Sequence, residues 1–78
     1  MSNTPHTLQD EFPGEMEKIH ALKASDAHFA RLLQEYDVAN DAVHRAETRV
    51  DAVSSEHESD LRKTRSRLKD EIARALRA

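Results

Sequence analysis

Seventy-eight residues with no cysteine and a single glycine, Gly14, make one small domain over 1–78, with no disulfide or thiolate metal site to hold it together. Charged residues are 35% of the chain, and the aromatics are Phe12, Phe29 and Tyr36 alone. No apolar run approaches the roughly 18–20 residues that span a bilayer. The N-terminal Met1-Ser2-Asn3-Thr4-Pro5-His6 lacks the basic patch and apolar stretch of a signal peptide, so a cytoplasmic location is expected.

In chain order, Thr4 reads as an N-cap with Pro5 at the first helical position, opening a short helix that must stop before Pro13. Pro13 can open a second short helix, with Glu15 and Glu17 at its positive end and Ile19 and Leu22 as its apolar stripe, running to about Ala24. These short elements occupy 1–25. Ser25-Asp26 is the next cap, and a long helix is predicted over 26–53. Its seam, Phe29, Leu32, Tyr36, Ala39, Val43, Ala46, Val50 and Val53, is spaced 3, 4, 3, 4, 3, 4, 3, an unbroken heptad pattern. Ser54-Ser55 interrupts it. Ser55 with Glu58 reads as a capping box for a final helix over 55–77, with Glu56, Glu58 and Asp60 in its first turn and Arg74 and Arg77 in its last. The apolar stripe of that helix is Leu61, Leu68, Ile72, Ala75 and Leu76.

So short a break makes the two long helices antiparallel neighbours. The fold expected is all-α: a coiled-coil-like antiparallel two-helix hairpin preceded by one or two short N-terminal helices. Folding about Val53 and Ser54 sets residue i opposite about 107 − i. Ala46 then faces Leu61, Ala39 faces Leu68, Leu32 faces Ala75, and Tyr36 lies near Ile72, so large side chains meet small ones.

The net charge of −3 hides an asymmetry. Residues 1–60 hold 13 acids and 5 Lys/Arg, whereas residues 61–78 hold 7 Lys/Arg and 2 acids. Such a split marks either an acidic or nucleic-acid partner or two segments that pair with each other. The hairpin register favours pairing, with Glu35, Asp37 and Asp41 near Lys69, Arg65 and Arg67.

With these residues in view, the chain resembles the YdcH-like family of short bacterial proteins, a domain of unknown function. The resemblance rests on Glu11-Phe12-Pro13, Ile19-x-x-Leu22-Lys23 and Asp26-x-His28-Phe29-x-x-Leu32-x-x-Glu35-Tyr36. It continues through His44-Arg45-x-Glu47, Leu61-Arg62-Lys63 and Leu68-Lys69-Asp70-Glu71-Ile72, covering about residues 11–76. It implies a helical hairpin and a bacterial cytosolic protein, and it implies no activity. Ala39, Val43 and Ala46 stand where relatives often carry larger aliphatics. Either the helices approach more closely here or the core is weaker.

Candidate chemistry is sparse. No two of His6, His20, His28, His44 and His57 are four apart, as a helical zinc site needs. His28, beside Asp26 in a first helical turn, reads as structural. The carboxylates have no cleft to work in, and Gly14 alone makes no phosphate loop. No catalytic residue, metal ligand, cofactor or small-molecule site is predicted, and no enzymatic activity. Arg62, Lys63, Arg65, Arg67 and Lys69 are the candidates for contact with an acidic partner. Their spread around the helix and the lack of stacking aromatics argue against nucleic acid, and the apolar stripe of that helix is claimed by the other arm rather than by a membrane.

The function expected is that of a non-enzymatic interaction or scaffold module. A lone hairpin buries few large side chains, and Ile19, Leu22, Leu33, Val38, Ala42 and Leu76 lie off its seam. These are the candidate contacts for a homo-oligomer, expected to be a dimer closing a four-helix bundle, or for a helical protein partner. The alternative is a nucleic-acid-associated or regulatory factor using the basic C-terminal helix.

Overall fold

Four helices follow one another in the computed structural model, which describes residues 6–48 and 52–78: α1 Leu8–Glu11, α2 Met16–Ser25, α3 Ala27–Glu47 and α4 Ser55–Arg77. No strand occurs among the described residues, and the all-helical expectation stands.

Local caps decide where the helices begin, and several differ from the sequence reading. The expected Thr4–Pro5 start lies outside the described residues. α1 is instead opened by Thr7, whose Oγ1 accepts from the Asp10 N–H while the Asp10 carboxylate accepts from the Thr7 N–H, each at 3.3 Å. That reciprocal pair is a capping box. Pro13 does not open α2. The Glu15 N–H donates to the Phe12 carbonyl at 3.1 Å, and Gly14 sits at φ +82°. Proline second and a positive-φ glycine third are the marks of a type II turn, so α2 starts beyond it, at Met16.

Asp26 caps α3 as expected, its carboxylate accepting from the N–H groups of His28 at 2.9 Å and Phe29 at 3.2 Å. α3 ends at Glu47 rather than at 53. The Thr48 hydroxyl turns back onto the carbonyls of His44 at 2.9 Å and Arg45 at 3.4 Å. Thr48 and Val53 are β-branched and lose χ1 freedom in a helix. α4 is capped by Ser54, not Ser55, through a bond from the His57 N–H at 3.1 Å. Glu58 is therefore released from the expected box and pairs with Arg62 at 2.8 Å.

α3 and α4 pack against each other. Arg62 donates to the Glu47 carboxylate at 2.9 Å, and Arg65 donates to Asn40 Oδ1 at 3.1 Å. Position falls along α3 as it rises along α4, the order that antiparallel neighbours require. Phe29, Leu32, Tyr36, Ala39, Val43 and Ala46 of α3 are buried, with Leu68 and Ile72 of α4. Leu61 and Ala75 are half-buried, and Val50 lies outside the described residues.

The N-terminal layer closes over one side. Ile19 of α2 is buried in the same cluster as Leu33 and Leu76, and Leu8, Phe12, Met16 and Leu22 pack against it. The Lys18 ammonium donates to the Leu76 carbonyl, serving a carbonyl that the last turn of α4 leaves without an intrahelical partner. Ile19, Leu33 and Leu76, expected to face a second chain, are thus inside this one. Their apolar surface is covered by α2, a third layer that the hairpin seam alone does not include.

Candidate interaction surface

Once α2 is in place, the off-seam apolar residues reduce to a few. Val38 is 71% exposed, the one large hydrophobic residue so exposed among the described residues, and Ala42 and Leu22 are half-buried. Val38 and Ala42 are one turn apart on α3 and border a shallow groove with Gln34, Glu35 and Ala39, closed on the α4 side by Leu61 and Thr64. Its floor is apolar and its α3 rim carries the Glu35 carboxylate. Of the six predicted contact residues, the structure brings Val38 and Ala42 together on this surface.

The charged residues are partnered differently from the expected register. Glu35, Asp37 and Asp41 are exposed. Lys69 pairs instead with Glu11 at 3.4 Å, Arg67 with Glu71 of its own helix at 3.6 Å, and Arg65 with Asn40. The cause is positional. α1 delivers Glu11 to α4, and Asn40 occupies the buried side of α3, 4% exposed, within reach of the Arg65 guanidinium. Arg62 is held by Glu47 and Glu58 together. The hydrogen bond from Arg62 keeps the Glu47 carboxyl below its usual range, and the same two carboxylates hold the Arg62 guanidinium more firmly protonated.

On the outer side of α4, Lys63, Arg67 and Arg74 line one concavity with Arg62, interrupted by Asp70 and Glu71. The bases at 63, 67 and 74 follow helical spacing, so this part of the basic run shares a face rather than encircling the helix. Two acids within it temper its potential.

Sequence reasoning did not find the polar cluster on the other side of α3. Tyr36 donates its hydroxyl to the His6 carbonyl at 2.7 Å, and Glu11 reaches both His6 Nδ1 at 3.1 Å and Lys69. Burial, then the charge of Glu11, pushes the Tyr36 phenol from 10.0 up to about 12. Burial would raise the Glu11 carboxyl, but the His6 hydrogen bond and the Lys69 charge outweigh it and hold it low. The Pro13-Gly14 pair was the available signal, because its turn folds α1 back toward α3. Among the described residues no group of three or more His, Cys, Asp or Glu could hold a metal ion, and no helix is long and apolar enough to cross a membrane.

Set against known proteins, residues 29–76 match a family model described as a protein of unknown function, DUF465. The match runs from Phe29 near the start of α3 to Leu76 near the end of α4, and begins later than the Glu11-Phe12-Pro13 included in the sequence resemblance. No curated protein and no solved structure matches the chain.

Proposed function

The chain belongs to the DUF465 family of small helical YdcH-like proteins, whose function is unknown, and on that premise we propose that it is a non-enzymatic interaction module of the bacterial cytoplasm. Its working unit is an antiparallel, coiled-coil-like hairpin of α3 and α4. It associates with a second copy, or with another helical protein, through the groove at Val38. The observation that carries this reading is the groove itself. Single exposed apolar residues are ordinary on protein surfaces. Here Val38 stands over small side chains, Ala39 and Ala42, and the groove continues onto α4 through Leu61 and Thr64. Small residues between two helices let a third helix approach closely, as bundle packing needs.

Sedimentation equilibrium at micromolar concentration tests this. The wild-type chain is expected to be a dimer, and Val38→Glu to be monomeric with unchanged helicity. A wild-type monomer that also captures no helical protein overturns the reading.

A second reading takes the concave basic surface of α4 as the contact, for an acidic partner or nucleic acid. The shared face of Lys63, Arg67 and Arg74 favours it, and the pairing of Arg62 and Arg67 with carboxylates weakens it. Retention on nucleic acid that falls steeply between about 50 and 200 mM salt would support this reading over the first.

A further inference from the structure

One face of α3 and α4 already holds a short peptide, supplied by the chain itself. Tyr36 is fully buried beneath it, its hydroxyl bonded to the His6 carbonyl at 2.7 Å. Glu11 places its carboxylate 3.4 Å from the Lys69 ammonium and 3.1 Å from the His6 ring. Leu8 and Phe12 rest half-buried on the core cluster. We propose that this face is a peptide-docking site, filled in cis by residues 6–12, and that it takes an acidic, aromatic segment of another protein when the cis segment lifts.

Several features make the cis segment removable. α1 has four residues, far below the length at which a helix persists by itself. Its capping bonds and its His6–Glu11 bond are exposed to water. His6 is held at φ +61°, a left-handed conformation that costs energy in a residue with a side chain, so the docked state carries a local penalty. Behind the segment lies the Pro13-Gly14 turn, where nothing lies within 4 Å of the position a side chain on the glycine would take. α2 is different: it buries Ile19 and is tied to the end of α4 through Lys18. Residues 6–12 can therefore open as a unit of low local stability while α2, α3 and α4 stay packed.

The vacated face defines what fits. Tyr36 would present its hydroxyl to water, and a segment that covers it again must supply an acceptor, because burying it without one is costly. Lys69 would present a cation, and the place of the Phe12 ring would be an apolar hollow. A segment offering a backbone carbonyl, then a carboxylate, then an aromatic ring satisfies all three, as His6, Glu11 and Phe12 now do. Tyr36 and Val38 are two residues apart, about 160° around the helix. This site and the Val38 groove are different surfaces, and one can fail without the other.

The test uses the full-length chain carrying Glu11→Lys and Phe12→Ser, which lifts the cis segment, and a synthetic peptide of residues 6–14 as the probe. Tyr36 is the chain's one tyrosine and there is no tryptophan. The peptide contains neither, so tyrosine emission reads the site directly. The variant is expected to keep its helical circular dichroism and to bind the peptide at least about tenfold more tightly than the wild type, whose own segment competes at an effective concentration on the order of millimolar. A peptide carrying Glu11→Lys should bind the variant poorly. Equal binding by wild type and variant, or no binding to a helical variant, overturns the proposal. Loss of helicity in the variant overturns it too, because a removable occupant leaves the helices standing. A wild-type dimer dissolved by the Glu11→Lys, Phe12→Ser pair would assign the site to a second copy's segment and overturn the separate partner.

Discussion

The hydroxyl of Tyr36 donates to the carbonyl of His6 at 2.7 Å, tying the middle of α3 to the first described residue of the chain. Ionising that phenol breaks the bond and leaves a buried anion facing the Glu11 charge. The folded state therefore favours the protonated phenol. Its contribution to stability is complete below about 10, the ordinary value, and is lost as pH rises through about 12. Ultraviolet titration of the native chain should place the phenolate transition near 12, and the denatured chain's near 10. Glu11 runs the other way. Its lowered carboxyl pKa adds stability above the ordinary carboxylate range, and that stability is lost as pH falls through the lowered value. A native phenol titrating at its ordinary value would contradict this account.

Leu68 is buried in the α3–α4 core, and Leu68→Ala should cost about 2–5 kcal/mol through lost burial and a residual cavity. Denaturant melts should show a lower midpoint with little change in slope. A loss below about 1 kcal/mol would mean that the site is exposed or collapses freely.

Arg65 should matter more than its basic neighbours. It serves Asn40, a buried polar side chain, whereas Arg67 and Lys69 join carboxylate pairs that are partly open to solvent. Arg65→Gln should cost on the order of 1–3 kcal/mol. Arg67→Gln and Lys69→Gln should each cost less, up to about 1 kcal/mol, since pairs open to solvent contribute little. Glutamine keeps nearly the same helix propensity, so the backbone is a minor term. Chemical melts of the three variants rank them, and equal losses would show that Asn40 gains nothing specific from Arg65.

The two serines ahead of α4 make a sharp pair. Ser54 is the cap and Ser55 is the first helical residue. Ser54→Ala should cost about 1 kcal/mol, while Ser55→Ala should be neutral or slightly stabilising because alanine is the better helix former. Thermal melts that reverse this order would move the helix start by one residue.

Local structure was legible in the sequence because its causes are local. Asp26 caps α3 within three residues of itself, and the Phe29–Ala46 seam declares its buried side through spacing alone. The family resemblance was legible for the same reason, being carried by short motifs on those helices. Some misreadings were also local: Ser54 and Ser55 offer nearly equivalent hydroxyls, and Pro13 suits a helix start and a turn alike until Gly14 takes a positive φ.

What only the tertiary structure decided is which apolar and charged groups spend themselves inside the chain. Periodicity gives a helix an apolar side but not the number of neighbours that cover it. Leu33 and Leu76 looked available until α2 brought Ile19 onto them, and Lys69 looked destined for α3 until α1 brought Glu11 within 3.4 Å. Val38 remained outside because, among the described residues, no element covers the groove it borders. Heptad spacing acts over one helix, whereas coverage depends on where a turn such as Pro13-Gly14 sends the next segment through space.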